Sequence, residues 1–118
     1  MILNLKHLRG ALLYSFAGLK RAWQGEQAFR HETLLIPVML LLLCLLRPGL
    51  GWSVGLMAAW LFVMALELLN SAIEEAFDLI TPEQNIHVKY GKDMASAAIF
   101  MALCANGLLW LCMLWETL

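Results

Sequence analysis

An all-α membrane protein is the fold class this sequence predicts, on three observations. The chain has 118 residues, 62% of them hydrophobic and only 14% charged, far more apolar than an ordinary globular domain. Three long apolar segments follow one another with short polar breaks between them. Ahead of them, leucines and aromatics recur at helical spacing. A soluble protein of this length could not bury so much apolar surface, so lipid is the expected solvent and residues 1–118 form a single membrane domain.

The first element is a helix over about residues 4–25. Leu5, Leu8, Leu12, Phe16, Leu19 and Trp23 fall at spacings of three and four, making one narrow stripe at roughly 100° per residue. Lys6, His7, Arg9, Lys20 and Arg21 lie beside or behind it. That pattern suits a helix lying in the membrane surface; the alternative is a helix packed on a soluble partner.

The first span, "TLLIPVMLLLLCLL", is short for a bilayer that needs about 20 residues. It reaches length over about 28–47 by starting near Ala28 and letting Arg30 and Glu32 extend toward the headgroups. Pro37 then falls inside the helix, where lipid-embedded chains tolerate it. "RPGLG" closes the span as a tight turn. The second span runs over about 50–80, from Leu50 through Leu66 and on into "ELLNSAIEEAFD". The third covers about 91–116. "TPEQNIHVKYG" between them is the clearly polar loop.

Charge narrows the function classes. A net charge of −1 without a basic block excludes a nucleic-acid partner. Cys44, Cys104 and Cys112 lie in apolar runs without metal-ligand spacing and read as packing residues. Lys6 and Arg9 interrupt the N-terminal leucines, so a cleaved signal peptide is not expected. Five of the eight basic residues precede the first span, two sit at the second loop, and Arg47 alone marks the first loop. The positive-inside rule then places the N-terminus and the second loop in the cytoplasm and the C-terminus outside.

Against this background "ELLNSAIEEAFD" is anomalous. Asn70, Glu74 and Asp78 follow Glu67 at three, seven and eleven residues, returning to within about 60° of one line on a helix. Glu75 points about a quarter turn away. Ionised groups near a bilayer are costly unless paired or solvated, so they usually face a bundle interior or a wet cavity. The alternative is that Glu75 and Asp78 have simply left the membrane. Carboxylates on one stripe, without nearby His or Cys, are hard ligands suited to magnesium. A carboxylate at the apolar edge is desolvated, which fits it to act as a general base near neutral pH.

Two further clusters meet this stripe. "GEQAFRHE" supplies Glu26, Arg30 and Glu32, with an i,i+4 ion pair between Glu26 and Arg30 as the simplest reading. "GKDMASAA" opens the third span with Lys92 and Asp93, then small residues that allow close helix approach. Together these groups could bind a metal-bound polyphosphate beside a lipid headgroup. No GxxxxGK[ST] loop is present, and "GLGWSVG" reads as turn plus packing.

At "AFRHE", "ELLNSAIE" and "KDMASAA" the sequence resembles the prokaryotic diacylglycerol kinase family, in order, at compatible spacing and over essentially the whole chain. The resemblance implies a bacterial cytoplasmic (inner) membrane homotrimer with three spans and a surface helix per protomer, and active sites shared between subunits. It implies transfer of the γ-phosphate of ATP to a lipid hydroxyl. By position Glu67 resembles the general base, and Glu26 and Glu74 resemble the Mg2+ ligands. Tyr14, Glu26, Asn70, Glu74, Glu83, Lys92 and Asp93 match nucleotide-binding positions. Trp23, Arg30, Glu32, Glu67 and Ser96 match the lipid site. Asn85, Tyr90 and His7 depart from the family pattern and bear on contacts to the nucleotide base.

The leading expectation is a kinase converting diacylglycerol to phosphatidic acid. An undecaprenol kinase of the same superfamily needs the same motifs. A small proton-coupled transporter with Glu67 as proton site belongs to another class, but three spans with charge concentrated at one face argue against it. A structural assembly subunit, with the polar residues serving subunit pairing, is a further alternative.

Overall fold

Asn4 starts the first helix by accepting a hydrogen bond from the His7 amide at 3.2 Å, the standard way an asparagine satisfies a free helix donor. The computed structural model describes residues 4–118. Its elements are α1 (Leu5–Gly25), α2 (Gln27–Leu46), α3 (Leu50–Ile80) and α4 (Ile86–Thr117). The all-helical class is therefore as expected, and α2, α3 and α4 are each long and apolar enough to cross a membrane.

Each break has a local cause. Glu26 alone separates α1 from α2, in extended conformation at φ −116°. After α2, Arg47 takes a left-handed conformation at φ 53° and Gly49 follows at φ 105°. The latter is a backbone state that glycine tolerates best. Pro48 between them cannot supply a helix donor. Pro37 does not break α2. One turn earlier, Thr33 donates its hydroxyl to the Phe29 carbonyl at 2.8 Å.

The last helix begins at Ile86, five residues ahead of the start expected for the third span. Asn85 caps it by accepting from the His87 amide at 2.8 Å. A Lys89–Asp93 pair at 2.7 Å braces the first turns. The polar loop thus contracts to residues 81–85.

At 1.5 Å per residue, α3 is about 46 Å long, well beyond a hydrocarbon core of roughly 30 Å. Glu67 lies about 26 Å from its start, close to where the helix leaves that core. Counted from that start, the end of α3 carrying Glu74, Glu75 and Asp78 lies beyond that thickness.

α3 and α4 form the most extensive pairing, with α2 against α3 and α1 against the start of α2. Met39, Trp60, Val63 and Met64 join Ala22 and Phe29 in one buried cluster. Leu43, Leu56 and Met113 form a second, nearer the α2–α3 turn. Trp60 donates its indole N–H to the Glu32 carbonyl at 3.0 Å, fixing α2 against α3. Trp52 donates to Glu116 Oε2 at 2.9 Å, joining the start of α3 to the end of α4. Gly91 lets these helices close at the other end: a Cβ there would lie 2.7 Å from the Phe77 ring. Outward faces are rich in exposed leucine and phenylalanine, as lipid contact requires. On α1 only Ala22 is buried, and the whole Leu5-to-Trp23 stripe is free to lie in the membrane surface.

Asn106 is a buried polar residue deep within α4. It is 6% exposed and donates to the Ala59 carbonyl at 3.1 Å and the Ala102 carbonyl at 3.0 Å. Interhelical hydrogen bonds in membranes contribute modestly, so Asn106→Ala should destabilise the chain by about 0.5–1.5 kcal/mol. Equilibrium unfolding in detergent would measure this loss; a stabilised variant would show that the buried amide costs more than its bonds return.

Candidate active site

The corner at Glu26 organises the site. Carbonyls at the end of α1 lack helical partners. Arg30, one turn into α2, folds back and donates from one guanidinium nitrogen to the carbonyls of Trp23 and Gln24, each at 3.0 Å. A cation is well placed at the negative end of a helix. The simple Glu26–Arg30 ion pair is therefore not formed. Among the described residues Glu26 has no ion-pair partner, and its side chain does not cap α2.

Glu32 also departs from expectation. It was expected to extend toward the headgroups, but it turns inward and is only 8% exposed. The cause is the α2–α3 register: with its carbonyl held by Trp60, Glu32 faces α3 and its carboxyl meets that of Glu67. One of its carboxyl oxygens is buried without a hydrogen-bond partner. Glu67 is half-buried, and the charges of Glu26 and Glu74 also reach it. Asn70 lies between, donating to Glu74 Oε1 at 3.4 Å while its own Oδ1 is buried and unpartnered.

Glu32 and Glu67 thus face each other across α2 and α3, with Glu26 and Glu74 near enough for their charges to reach Glu67, and among the described residues none of the four has an ion-pair partner. Like charges at such range repel unless a proton or a cation stands between them. Among the described residues, no three His, Cys, Asp or Glu side chains form a closed metal cage.

A second concavity lies under the α3–α4 loop, about 690 Å³ in volume, with Asp78, Glu83, Lys89, Lys92 and Asp93 in its walls. Asp78 belongs to this pocket: it meets Lys92 at 3.1 Å and ties the end of α3 to α4. Glu75 turns instead to a cavity of about 480 Å³ between α1 and α3, shared with Arg21, Ser71 and Glu26.

The structure therefore gathers Glu26, Glu32, Glu67, Asn70 and Glu74 in one cluster and Glu83, Lys92 and Asp93 in another. Trp23 contributes its carbonyl to Arg30. Tyr14 is 80% exposed on α1 and Ser96 is exposed on α4, so neither joins a cluster within one chain. Lys89 also lines the loop pocket, a place the sequence reading did not give it. Its signal was the four-residue spacing to Asp93.

Comparison with known proteins follows the same residues. The family described as prokaryotic diacylglycerol kinase matches residues 13–114. A diacylglycerol kinase of Haemophilus influenzae is 41% identical over 107 residues, covering 91% of each chain. That of Pseudomonas aeruginosa is 39% identical over 107 residues, 91% of this chain and 87% of the relative. That of Escherichia coli K12 is 36% identical over 103 residues, 87% and 84% respectively.

Removing the guanidinium by Arg30→Gln should free the corner. Two charge-assisted contacts at a partly exposed site correspond to about 1–2 kcal/mol. Hydrogen exchange at residues 24–28 should accelerate about tenfold or more, with the α3–α4 amides unaffected. An unchanged exchange rate would show that packing of Ala22 and Phe29 holds the corner by itself.

Proposed function

The chain belongs to the prokaryotic diacylglycerol kinase family, and from that premise we propose that it transfers the γ-phosphate of ATP to the hydroxyl of diacylglycerol, yielding phosphatidic acid and ADP. The observation that carries the reading is the facing of Glu32 and Glu67 beneath the Glu26 corner, within reach of the charges of Glu26 and Glu74 and, among the described residues, without ion-pair partners. Such a cluster suits a substrate that brings cations with it. All the relatives named above are diacylglycerol kinases.

Phosphoryl transfer depends on positioning and charge neutralisation more than on covalent chemistry. Glu67 is the general base: its carboxylate accepts the proton of the lipid hydroxyl as the oxygen bonds to the γ-phosphorus and the bond to the β-phosphate oxygen breaks. Its place near the end of the apolar part of α3 lets it meet a hydroxyl held at the bilayer surface. Glu32 faces Glu67 across α2 and α3 and helps desolvate it. Glu26 and Glu74 would hold Mg2+, which when bound neutralises charge on the phosphates. Asn70 steadies Glu74 through its amide. Glu83, Lys92 and Asp93 receive the nucleotide in the loop pocket, with Tyr14 as a further contact, and Trp23, Arg30 and Ser96 line the path of the lipid.

Tyr14 and Ser96 stand apart from the clusters in a single chain. This supports a homotrimer in which neighbouring protomers complete each site. The protein is then a bacterial inner-membrane enzyme with its N-terminus and α3–α4 loop in the cytoplasm and its C-terminus outside.

An assay of phosphate transfer from ATP in mixed micelles tests this reading. Glu67→Gln should lower kcat by about 10²-fold or more, the usual contribution of a general base, while helicity and oligomeric state by chemical crosslinking persist. Glu74→Gln should raise the magnesium concentration needed for half-maximal activity. Undisturbed transfer by Glu67→Gln, or strong preference for undecaprenol over diacylglycerol, would overturn it.

A further inference from the structure

The loop pocket poses an electrostatic problem for a nucleotide. Its walls carry three carboxylates, Asp78, Glu83 and Asp93, against two ammonium groups, Lys89 and Lys92. A polyphosphate entering such a pocket is repelled unless the cations turn toward it.

The two lysines are held differently. Lys92 crosses from α4 to Asp78 at the end of α3, and its side chain is 37% exposed. It is part of the join between two helices. Lys89 is 67% exposed and bound within its own helix, to Asp93 one turn on at 2.7 Å. Exposed i,i+4 pairs of this kind are weak and exchange readily. The lysine stem is long and flexible, so its ammonium can leave Asp93 without moving the backbone. Lys89 and Lys92 are three residues apart on one helix, which places them on the same face.

We propose that Lys89 is a phosphate-binding residue of this pocket, leaving Asp93 for the polyphosphate of the nucleotide as it enters. The inference rests on the reading of the chain as an ATP-dependent kinase and adds a cation that the family motifs in "KDMASAA" do not include. In the empty pocket Lys89 neutralises Asp93. In the filled pocket it faces phosphate beside Lys92, and Asp93 is released to accept a donor or cation arriving with the nucleotide. Without Lys89 the same walls would hold three acids against one base.

Steady-state kinetics of the full chain in mixed micelles tests the assignment. Lys89→Gln should raise KM for MgATP about tenfold, the effect of one charge-assisted contact. The value of kcat and the KM for lipid should stay within about twofold. Lys89→Arg should restore KM for MgATP, because the charge is what matters. Inorganic triphosphate should compete with MgATP, and its inhibition constant should weaken in Lys89→Gln by a factor similar to the change in KM. An unaltered KM for MgATP in Lys89→Gln, or equal damage to kcat and both KM values, overturns the assignment while leaving the kinase reading intact. Absence of transfer from ATP to any lipid alcohol by the native protein would instead overturn the kinase reading, and this inference with it.

Discussion

The hydrogen bond from Trp60 to the Glu32 carbonyl is the constraint on which the site depends. It joins residues 28 positions apart and lies in the buried cluster that seats α2 on α3. Once that register is set, Glu32 has nowhere to point except toward Glu67. The α1–α2 corner is then brought over the same stretch of α3, because only Glu26 separates the two helices. A single indole therefore sets where the carboxylates meet. Without it, α2 could slide along an apolar surface that offers little register of its own.

The arrangement is also a balance of unfavourable terms. Crowded carboxylates oppose folding, and in lipid the hydrophobic effect does not drive helix against helix. Packing in the Met39–Trp60–Val63 cluster, the Asn106 clamp and the Trp52–Glu116 bond supply the opposing attraction. They lie between the α1–α2 corner and the ends of the helices at the α2–α3 turn, away from the pocket under the α3–α4 loop. The end at the α3–α4 loop is held by exposed ion pairs that water already weakens. Rigidity and adaptability are thus separated along the length of α3 and α4.

Much of this was legible in the sequence. The spans follow from apolar length, α1 from the spacing of Leu5 to Trp23, and the stripe of Glu67, Asn70 and Glu74 from the helical period. These are local signals, and a period survives whatever the tertiary context. What was not legible depended on distant partners. Nothing near Glu32 indicates that Trp60 will turn it inward. The expected Glu26–Arg30 pair lost to the free carbonyls of Trp23 and Gln24, acceptors that exist only because α1 ends where it does. The start of α4 at Ile86 was hidden because Asn85 reads equally well as loop residue or cap. Tyr14 and Ser96 match a family pattern by position, yet their place in a site is not a property of one chain folded by itself.

The exposed stripe of α1 has a kinetic meaning. If α1 lies in the interface, as its exposed apolar stripe allows, an acceptor dissolved in the bilayer reaches the site by diffusion in two dimensions. Its effective abundance is then its mole fraction among the lipids, not its amount per volume of suspension. Adding inert lipid at constant total acceptor dilutes the acceptor in that surface and slows turnover, whereas adding buffer leaves the rate per protein nearly the same. The water-soluble phosphate donor obeys the opposite rule. The fold thus places one molecule at the meeting of two concentration scales.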